Sequence, residues 1–242
     1  MKDKPFHFKQ FSVHHHLSSM KVGTDALLLG AWCDTTDKKN ILEVGCGCGV
    51  ISLMLAQRNS QANIMGIDID APSVDEAQSN FISSPWANRL NAQKNDFNEL
   101  DYHSHFDLIV SNPPFFHNAL HSPIESRNNA RHLLTFNRSL FFKKCYSIST
   151  DNGTIALIVP FDDKINWNDA AAANNWYPIK SLLVKDTELK PNKRILITYS
   201  KAESPLELDS IVLKKNNRFS PDYIRLLGNF QTIFQSYQLI LN

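Results

Sequence analysis

The hydrophobic positions alternate along the chain between short continuous runs and helical repeats. From residue 39 onward, the continuous runs are typical of buried strands, and they fall at residues 40–44, 63–67, 106–110, 154–159 and 195–199. Between them, apolar residues at helical spacing predict helices over residues 50–57 and from Pro72, where Val74, Ala77 and Phe81 share one face. Strands that alternate with helices predict an α/β fold with a parallel sheet covered on both faces.

The last part of the chain has a different pattern. Residues 202–209 are polar and contain Pro205, which predicts a linker. The sequence Phe219-Ser220-Pro221-Asp222-Tyr223 then predicts the start of a helix, and the aromatic residues that follow predict that this helix packs against the rest of the domain.

Composition narrows the class of protein. The 242 residues are 43% hydrophobic and 20% charged, which excludes a collagenous, low-complexity or disordered chain. No apolar stretch approaches the length of a membrane span or follows the pattern of a signal peptide, so we expect no membrane association and a cytoplasmic location. The four cysteines and the run His14-His15-His16 lack the spacing of a disulfide framework or a metal site, so no metal is expected.

Charge is unevenly distributed although its total is only +1. Residues 66–110 carry eight acids against two bases, whereas residues 111–150 carry five bases against Glu125 alone. Residues 180–201 are also basic, with six bases against two acids. Local basic segments of this kind can bind a polyanion such as RNA, or can form solvated faces.

The first candidate site is a glycine-rich loop directly after the first predicted strand. The segment Glu43-Val44-Gly45-Cys46-Gly47-Cys48-Gly49 ends that strand and leads into a helix. Glycines there permit a tight turn and let a ligand approach the backbone at a helix N-terminus. Dinucleotide-binding loops place a glycine or alanine where this chain has Val50, so the loop does not favour NAD.

Acidic residues follow the next two strands. Asp68 lies 23 residues beyond Gly45, where a carboxylate can accept hydrogen bonds from both ribose hydroxyls of a nucleoside. Asp70 is the alternative, although it can instead cap the helix near Pro72. Asp96 is placed to meet an adenine amino group, or is a surface acid.

The motif Ser111-Asn112-Pro113-Pro114-Phe115-Phe116 follows the strand at 106–110. Two prolines end the strand and leave carbonyl groups without local amide partners. The amide oxygen of Asn112 and the carbonyl of Pro113 can then accept both hydrogens of a planar NH2 group, while Phe115 offers a face for a flat ring. This arrangement predicts a pocket that presents an exocyclic amine to an electrophile, for a displacement that needs positioning and no strong general base.

These motifs resemble a known family. The glycine loop resembles the first motif of class I S-adenosylmethionine-dependent methyltransferases. Residues 8–11, 20–32, 84–87, 111–115, 127–132, 190–194 and the tail from Phe219 are similar to the bacterial tRNA1(Val) adenine-N6 methyltransferase family. The resemblance implies a Rossmann-like, doubly wound, seven-stranded and mostly parallel sheet with an antiparallel C-terminal hairpin. It also implies an N-terminal segment (1–38) completing the cofactor pocket, a catalytic domain (39–201) and a packed C-terminal extension (202–242).

The resemblance assigns roles to individual residues. It implies methylation of adenine 37 in tRNA, with S-adenosylmethionine as cofactor and no obligate protein partner. The amine pocket would be formed by Asn112, Pro113, Pro114 and Phe115, the last of which is tyrosine in many relatives. The cofactor would be bound by Lys21, Gly23, Thr24, Glu43, Gly45, Gly47, Asp68, Asp96 and Asn112, and the RNA by Arg127, Arg131, His132, Lys193 and Arg194. From the residues alone, the segment from Lys21 to Asp25 predicts only a helix entry capped by Thr24 or Asp25.

Other functions remain as alternatives. Ribosomal RNA guanine-N2 methyltransferases also carry Asn-Pro-Pro-Phe, and protein glutamine-N5 methyltransferases use an Asn-Pro-Pro-Tyr pocket. The basic segments after the pocket favour RNA over a protein substrate. An S-adenosylmethionine-binding RNA scaffold without catalysis is the non-enzymatic alternative, but a scaffold does not need to orient an amine.

Overall fold

A computed structural model describes residues 4–114 and 136–231. The strands are β1 (Phe6–His7), β2 (Ser12–Val13), β3 (Asn40–Val44), β4 (Asn63–Asp68), β5 (Leu90–Lys94), β6 (Phe106–Ser111), β7 (Ser149–Pro160), β8 (Tyr177–Thr187), β9 (Asn192–Ser200), β10 (Glu207–Lys215) and β11 (Arg218–Phe219). The α-helices are α1 (Thr24–Trp32), α2 (Val50–Arg58), α3 (Ala71–Ile82), α4 (Arg138–Ile148), α5 (Lys164–Ala172) and α6 (Pro221–Leu227). No helix in these two ranges is long and apolar enough to cross a membrane.

Within the described residues, nine strands form the main sheet, in the order β11-β10-β8-β9-β7-β6-β3-β4-β5. Strands β5, β4, β3, β6 and β7 are mutually parallel, as the alternation of strands and helices predicts. Strand β9 lies antiparallel between β7 and β8, which confirms the antiparallel C-terminal hairpin. Strands β3 to β9 are therefore the seven expected strands.

The C-terminal segment adds two strands that the seven-stranded expectation did not include. Strand β10 runs parallel to β8, with Glu207 opposite Lys180, and β11 pairs with the end of β10. The prediction of a linker over residues 202–209 is wrong for its last three residues. Only Ile211 of β10 is buried, so the hydrophobic pattern of the sequence does not indicate a strand there. The strand forms because its backbone pairs with β8.

Helices cover both faces of the sheet, and each face has its own core. On one face, α1, α2, α3 and α6 pack with residues such as Leu28, Leu53 and Phe81, which are buried completely. On the other face, α4 and α5 pack against Trp176 and Tyr199. Because both faces are covered, a ligand can reach the sheet only at its edges or at the ends of its strands.

Helix α1 does not begin as the sequence predicts. Its N-cap is Gly23, which makes no side-chain capping bond, so the expectation of a cap at Thr24 or Asp25 is wrong. Thr24 already belongs to the helix, and the carboxylate of Asp25 forms an ion pair with Arg194. This pair links the entry of α1 to the start of β9.

Candidate active site

The site lies where the order of the parallel strands reverses. Strand β3 has β4 on one side and β6 on the other, and an open α/β sheet binds ligands beyond the carboxyl ends of such strands. The hydroxyl of Ser111, at the end of β6, donates to the carbonyl of Val44 at 2.8 Å. This bond fixes the two carboxyl ends from which the glycine loop and the Asn-Pro-Pro segment begin.

The glycine loop has a backbone that other residues rarely adopt. Gly45, Gly47 and Gly49 all have positive φ, at 72°, 51° and 77°. A Cβ at Gly49 would lie 2.5 Å from the ring of Phe81, whereas a Cβ at Gly45 would meet no described atom within 4 Å. The loop is therefore packed tightly against α3 on one side and leaves open space on the other, where a ligand can approach the backbone.

The side chain of Glu43 is buried beneath the glycine loop and contacts the first turn of α2. Its side chain is 1% exposed, and one carboxylate oxygen accepts hydrogen bonds from the Ser52 amide, at 2.8 Å, and the Ser52 hydroxyl. Because Ser52 lies in the first turn of α2, Glu43 caps that helix in place of Gly49, which has no side chain. Burial raises the pKa of Glu43 to about 8. The observed contacts of Glu43 hold the start of α2, and its contact with the cofactor stays a prediction.

The two acids after β4 have different surroundings. Asp68 accepts hydrogen bonds from the amide of Gly47 at 2.9 Å and from that of Asp70 at 3.0 Å, so its carboxylate lies beside the glycine loop. Asp70 is the N-cap of α3, and it accepts from the amide of Ser73 at 3.1 Å and from its hydroxyl at 2.6 Å. This geometry favours Asp68 over Asp70 for the ribose contact.

Asp96 lies one strand further along the same edge. The amide of Asn95, which precedes it, donates to the carbonyl of Asp68 at 3.0 Å. The Asp96 side chain is exposed and accepts from the amide and side chain of Asn98, at 2.8 and 2.9 Å. Its capping role leaves the second carboxylate oxygen available, so an adenine contact remains a prediction.

A cavity of about 300 Å³ joins the Asn-Pro-Pro segment to the N-terminal part of the chain. Its lining includes Met20, Lys21, Gly23, Thr24, Asp25, Asn112, Asp186, Lys193 and Arg194. The amide oxygen Oδ1 of Asn112 is buried and has no hydrogen-bond partner among the described residues. A buried acceptor costs free energy when it is unpaired, so this atom is set to receive a donor from a ligand. Phe115 lies outside the described residues.

Some of the predicted cofactor and RNA residues line this cavity together, namely Lys21, Gly23, Thr24, Asn112, Lys193 and Arg194. Among the described residues, Glu43, Gly45, Gly47, Asp68 and Asp96 are not part of its lining. Arg194 Nε lies 2.9 Å from the carboxylate of Asp25, and Lys193 Nζ lies 2.8 Å from that of Asp186. The Asp25 and Arg194 side chains are only about one fifth to one quarter exposed, so this cation is held in place at the wall. Arg127, Arg131 and His132 lie outside the described residues.

The side chain of Lys21 binds the backbone of the preceding loop. Its ammonium group donates to the carbonyls of His15 at 2.6 Å and His16 at 3.1 Å. The amine thus closes the preceding loop on itself, and the expected approach of this group to the cofactor stays a prediction. Its backbone neighbours Gly23 and Thr24 do line the cavity.

A polar face of α3 was missed from the sequence. Ser73, Glu76 and Asn80 are spaced by three and four residues, and all three are buried. Glu76 and Asn80 bind the backbone of residues 14–18. The spacing of these polar residues could have predicted that they share one face of the helix. It does not identify the segment that this face binds, which lies 60 residues away in sequence.

Comparison with solved structures gives the class of the fold. The chain superposes on a predicted O-methyltransferase from Agrobacterium tumefaciens with a TM-score of 0.66, at 15% identity, covering 85% of this chain and 96% of that one. A ribosomal protein L11 methylase from Lactobacillus delbrueckii gives a TM-score of 0.56 at 16% identity, with 79% and 84% covered. The sheet topology and these two likenesses show the Rossmann-like fold of class I methyltransferases, a class that uses S-adenosylmethionine.

Sequence comparison gives the family. The family model for the methyltransferase small domain matches residues 14–135. A Bacteroides fragilis relative is 36% identical over 233 residues, which cover 93% of this chain and 96% of the relative. Relatives from Vibrio vulnificus and Yersinia enterocolitica are each 33% identical, and cover 95% of this chain and 96% of their own length. All three are named tRNA1(Val) (adenine(37)-N6)-methyltransferase. The chain belongs to this family.

Proposed function

We propose that this chain transfers a methyl group from S-adenosylmethionine to the N6 amine of adenine 37 in tRNA1(Val), the reaction in its relatives' names. The single observation that carries the proposal concerns Asn112, a residue that lines the cavity: its buried Oδ1 has no hydrogen-bond partner among the described residues. An exocyclic amine is a donor of the right kind for this acceptor, because each of its two hydrogens can form one hydrogen bond.

The residues of the crevice fit the cofactor. A Cβ at Gly45 would fill open space beside the loop, and each carboxylate oxygen of Asp68 retains a lone pair beyond the bonds that it already accepts. We assign the ribose hydroxyls to Asp68, the adenine amino group to Asp96, and the amino acid end to the backbone near Gly45, Gly47 and Gly23. When bound, S-adenosylmethionine supplies an electrophilic methyl group on a positively charged sulfur.

The protein contributes orientation to the reaction. The N6 nitrogen of adenine is a poor nucleophile because its lone pair is delocalised into the ring. Oδ1 of Asn112 and the carbonyl of Pro113 accept its two N–H groups, which favours a pyramidal nitrogen and directs the lone pair towards the methyl group. The same two acceptors stabilise the positive charge that develops on nitrogen, and the proton then leaves to water.

The proposal also assigns residues to the binding of RNA. Lys193 and Arg194 lie at the cavity wall, beside the position proposed for the amine. Arg127, Arg131 and His132 are assigned to the same interface from the sequence, and Phe115 is assigned to stacking on the adenine. The target base must leave its stack to enter the cavity. We place the protein in the cytoplasm with its tRNA, acting without a protein partner.

Mass spectrometric mapping tests the proposal. The purified chain is incubated with S-adenosylmethionine and either a tRNA1(Val) transcript, its adenine 37 to guanine variant, or total RNA and protein. We expect one methyl group on N6 of adenine 37 and none on the variant transcript. A methyl group on guanine N2 of ribosomal RNA or on a glutamine amide would refute the substrate. Cofactor binding without methylation of any of these would indicate the scaffold.

A further inference from the structure

Residues 14–18 form a strap across the glycine loop, and the buried carboxylate of Glu76 binds three of its five residues. Glu76, on α3, is 2% exposed. One of its oxygens accepts from the amides of His16 at 2.7 Å and Leu17 at 2.9 Å, and the other accepts from the amide of Ser18 at 2.8 Å. The ring nitrogen Nδ1 of His16 lies 3.1 Å from the first oxygen. Three consecutive amides thus converge on one charged group.

This arrangement makes the strap depend on the charge of Glu76. A carboxylate accepts three or four hydrogen bonds without donating any, so it matches three convergent N–H groups. A neutral amide at the same position would turn an N–H group towards one of these donors and leave it without a partner. Buried donors that lose their acceptor destabilise the segment that carries them.

The side chains of Asn80 and Lys21 also bind the strap. Asn80, one turn beyond Glu76, accepts from the amide of His14 at 2.9 Å and donates to its carbonyl at 2.7 Å and to that of Cys48 at 2.9 Å. Lys21 binds the carbonyls of His15 and His16. Asn80 therefore connects the strap directly to the glycine loop.

The strap controls two surfaces of the crevice. A Cβ on Gly47 would lie 3.2 Å from the hydroxyl of Ser18, closer than an ordinary van der Waals contact, so the strap leaves room there only for a glycine. Immediately after the strap, Met20, Lys21 and Gly23 form one wall of the cavity. A displacement of residues 14–18 would therefore change both the contact with the glycine loop and the position of this cavity wall.

We propose that Glu76 is a positioning residue for the cofactor site, which acts by holding residues 14–18 against the glycine loop. This inference rests on the proposed function, because it takes S-adenosylmethionine as the ligand of the crevice. Glu76 is not among the described residues that line the cavity with Asn112, so we expect its substitution to lower cofactor affinity and not to change the orientation of the bound amine.

The test compares Glu76→Gln, Glu76→Asp and the wild-type full chain. Gln78→Ala is the matched control, because Gln78 lies on the same helix but accepts a hydrogen bond from the amide of Ala92 in β5. Titration calorimetry with S-adenosylmethionine gives the affinity. We expect at least a tenfold loss for Glu76→Gln, a smaller loss for Glu76→Asp, which retains the charge, and less than a threefold change for Gln78→Ala.

Hydrogen exchange in the absence of cofactor gives an independent readout. The amides of His16, Leu17 and Ser18 should exchange at least tenfold faster in Glu76→Gln, whereas amides in β3 and β4 keep their wild-type rates. At saturating cofactor, kcat on tRNA should stay within threefold. Unchanged affinity, or exchange that rises equally throughout the molecule, would overturn the inference. Wild-type protein that binds no S-adenosylmethionine would instead overturn the proposed function. If Glu76→Gln does not fold, Glu76→Asp carries the same comparison.

Discussion

The buried carboxyl of Glu43 makes the stability of the protein depend on pH in an unusual direction. The perturbation that isolates it is Glu43→Gln, which keeps the shape and the acceptor oxygen. The amide oxygen of the introduced glutamine can accept from Ser52 as the carboxyl does. Its NH2 group takes the place of the OH of a protonated glutamic acid. The variant therefore imitates the neutral form of the wild-type side chain at every pH.

The magnitude follows from the two pKa values. Burial raises the pKa of Glu43 from its ordinary value of 4.5 to about 8 in the folded protein. Between these values the folded state binds a proton that the unfolded state does not, so the free energy of unfolding falls as pH rises, by about 1.4 kcal/mol per pH unit. Because the slope flattens near pH 8, the wild-type protein should lose roughly 2 kcal/mol relative to Glu43→Gln between pH 6 and pH 8.

Urea denaturation at pH 6, 7, 8 and 9 measures this difference. The variant should already be more stable by about 2 kcal/mol at pH 6, because the unfolded wild-type chain is ionised above its pKa of 4.5. This difference should grow up to pH 8 and level off above it. Glu99→Gln is the control, since Glu99 is exposed and its substitution should give no such trend. A difference between Glu43→Gln and wild type that stays constant from pH 6 to pH 9 would show that Glu43 is not neutral in the fold, and the reasoning from burial would fail.

Two further predictions concern the cofactor and the RNA. Asp68→Ala should weaken S-adenosylmethionine binding at least tenfold in calorimetry, whereas Asp70→Ala should remove a helix cap, lower the free energy of unfolding by about 1 kcal/mol and leave the affinity nearly unchanged; the reverse pattern would move the ribose contact to Asp70. Charge reversal of Arg127 and Lys193 to Glu should weaken tRNA binding and flatten its dependence on salt concentration. A salt dependence equal to that of the wild type would remove both residues from the RNA interface.

The central strands of the fold could be predicted from the sequence because their signals are local. Strand β3 coincides with the run predicted at residues 40–44, and β6 exceeds its prediction by one residue, Ser111. In both cases a continuous apolar run meets glycines or prolines that end the strand. The helix cap at Asp70 could also be predicted from the sequence, because a capping residue is adjacent to its helix.

The missed elements depend on pairing and on distant partners. Strand β8 contains Pro178, Lys180 and Lys185 and is mostly half-buried, so no apolar run marks it, and it is defined by its two neighbours in the sheet. The pair of Asp25 with Arg194 joins residues 169 positions apart. Charge and spacing along the chain do not specify such partners.

The candidate site was predicted in part for the same reason. The sequence placed Gly45, Asp68 and Asn112 at carboxyl ends of strands, and the structure brings these ends to one edge of the sheet. The family resemblance assigned Glu43 to the cofactor, and the structure shows that alternation along β3 turns its side chain towards Ser52. Adjacency in sequence does not determine on which side of a strand a residue acts.

The most direct test of the proposed mechanism is the effect of Asn112→Ala on methyl transfer and on cofactor affinity in the same protein. Single-turnover rates on tRNA1(Val) at saturating cofactor should fall at least 100-fold, in the range known for loss of one transition-state contact, about 10² to 10³. Calorimetry with S-adenosylmethionine should change by less than threefold, and Asn166→Ala, on α5, should alter neither quantity. An Asn112→Ala protein that transfers methyl groups at the wild-type rate, or that loses rate and cofactor affinity equally, would contradict the role of this oxygen as the acceptor that orients the amine.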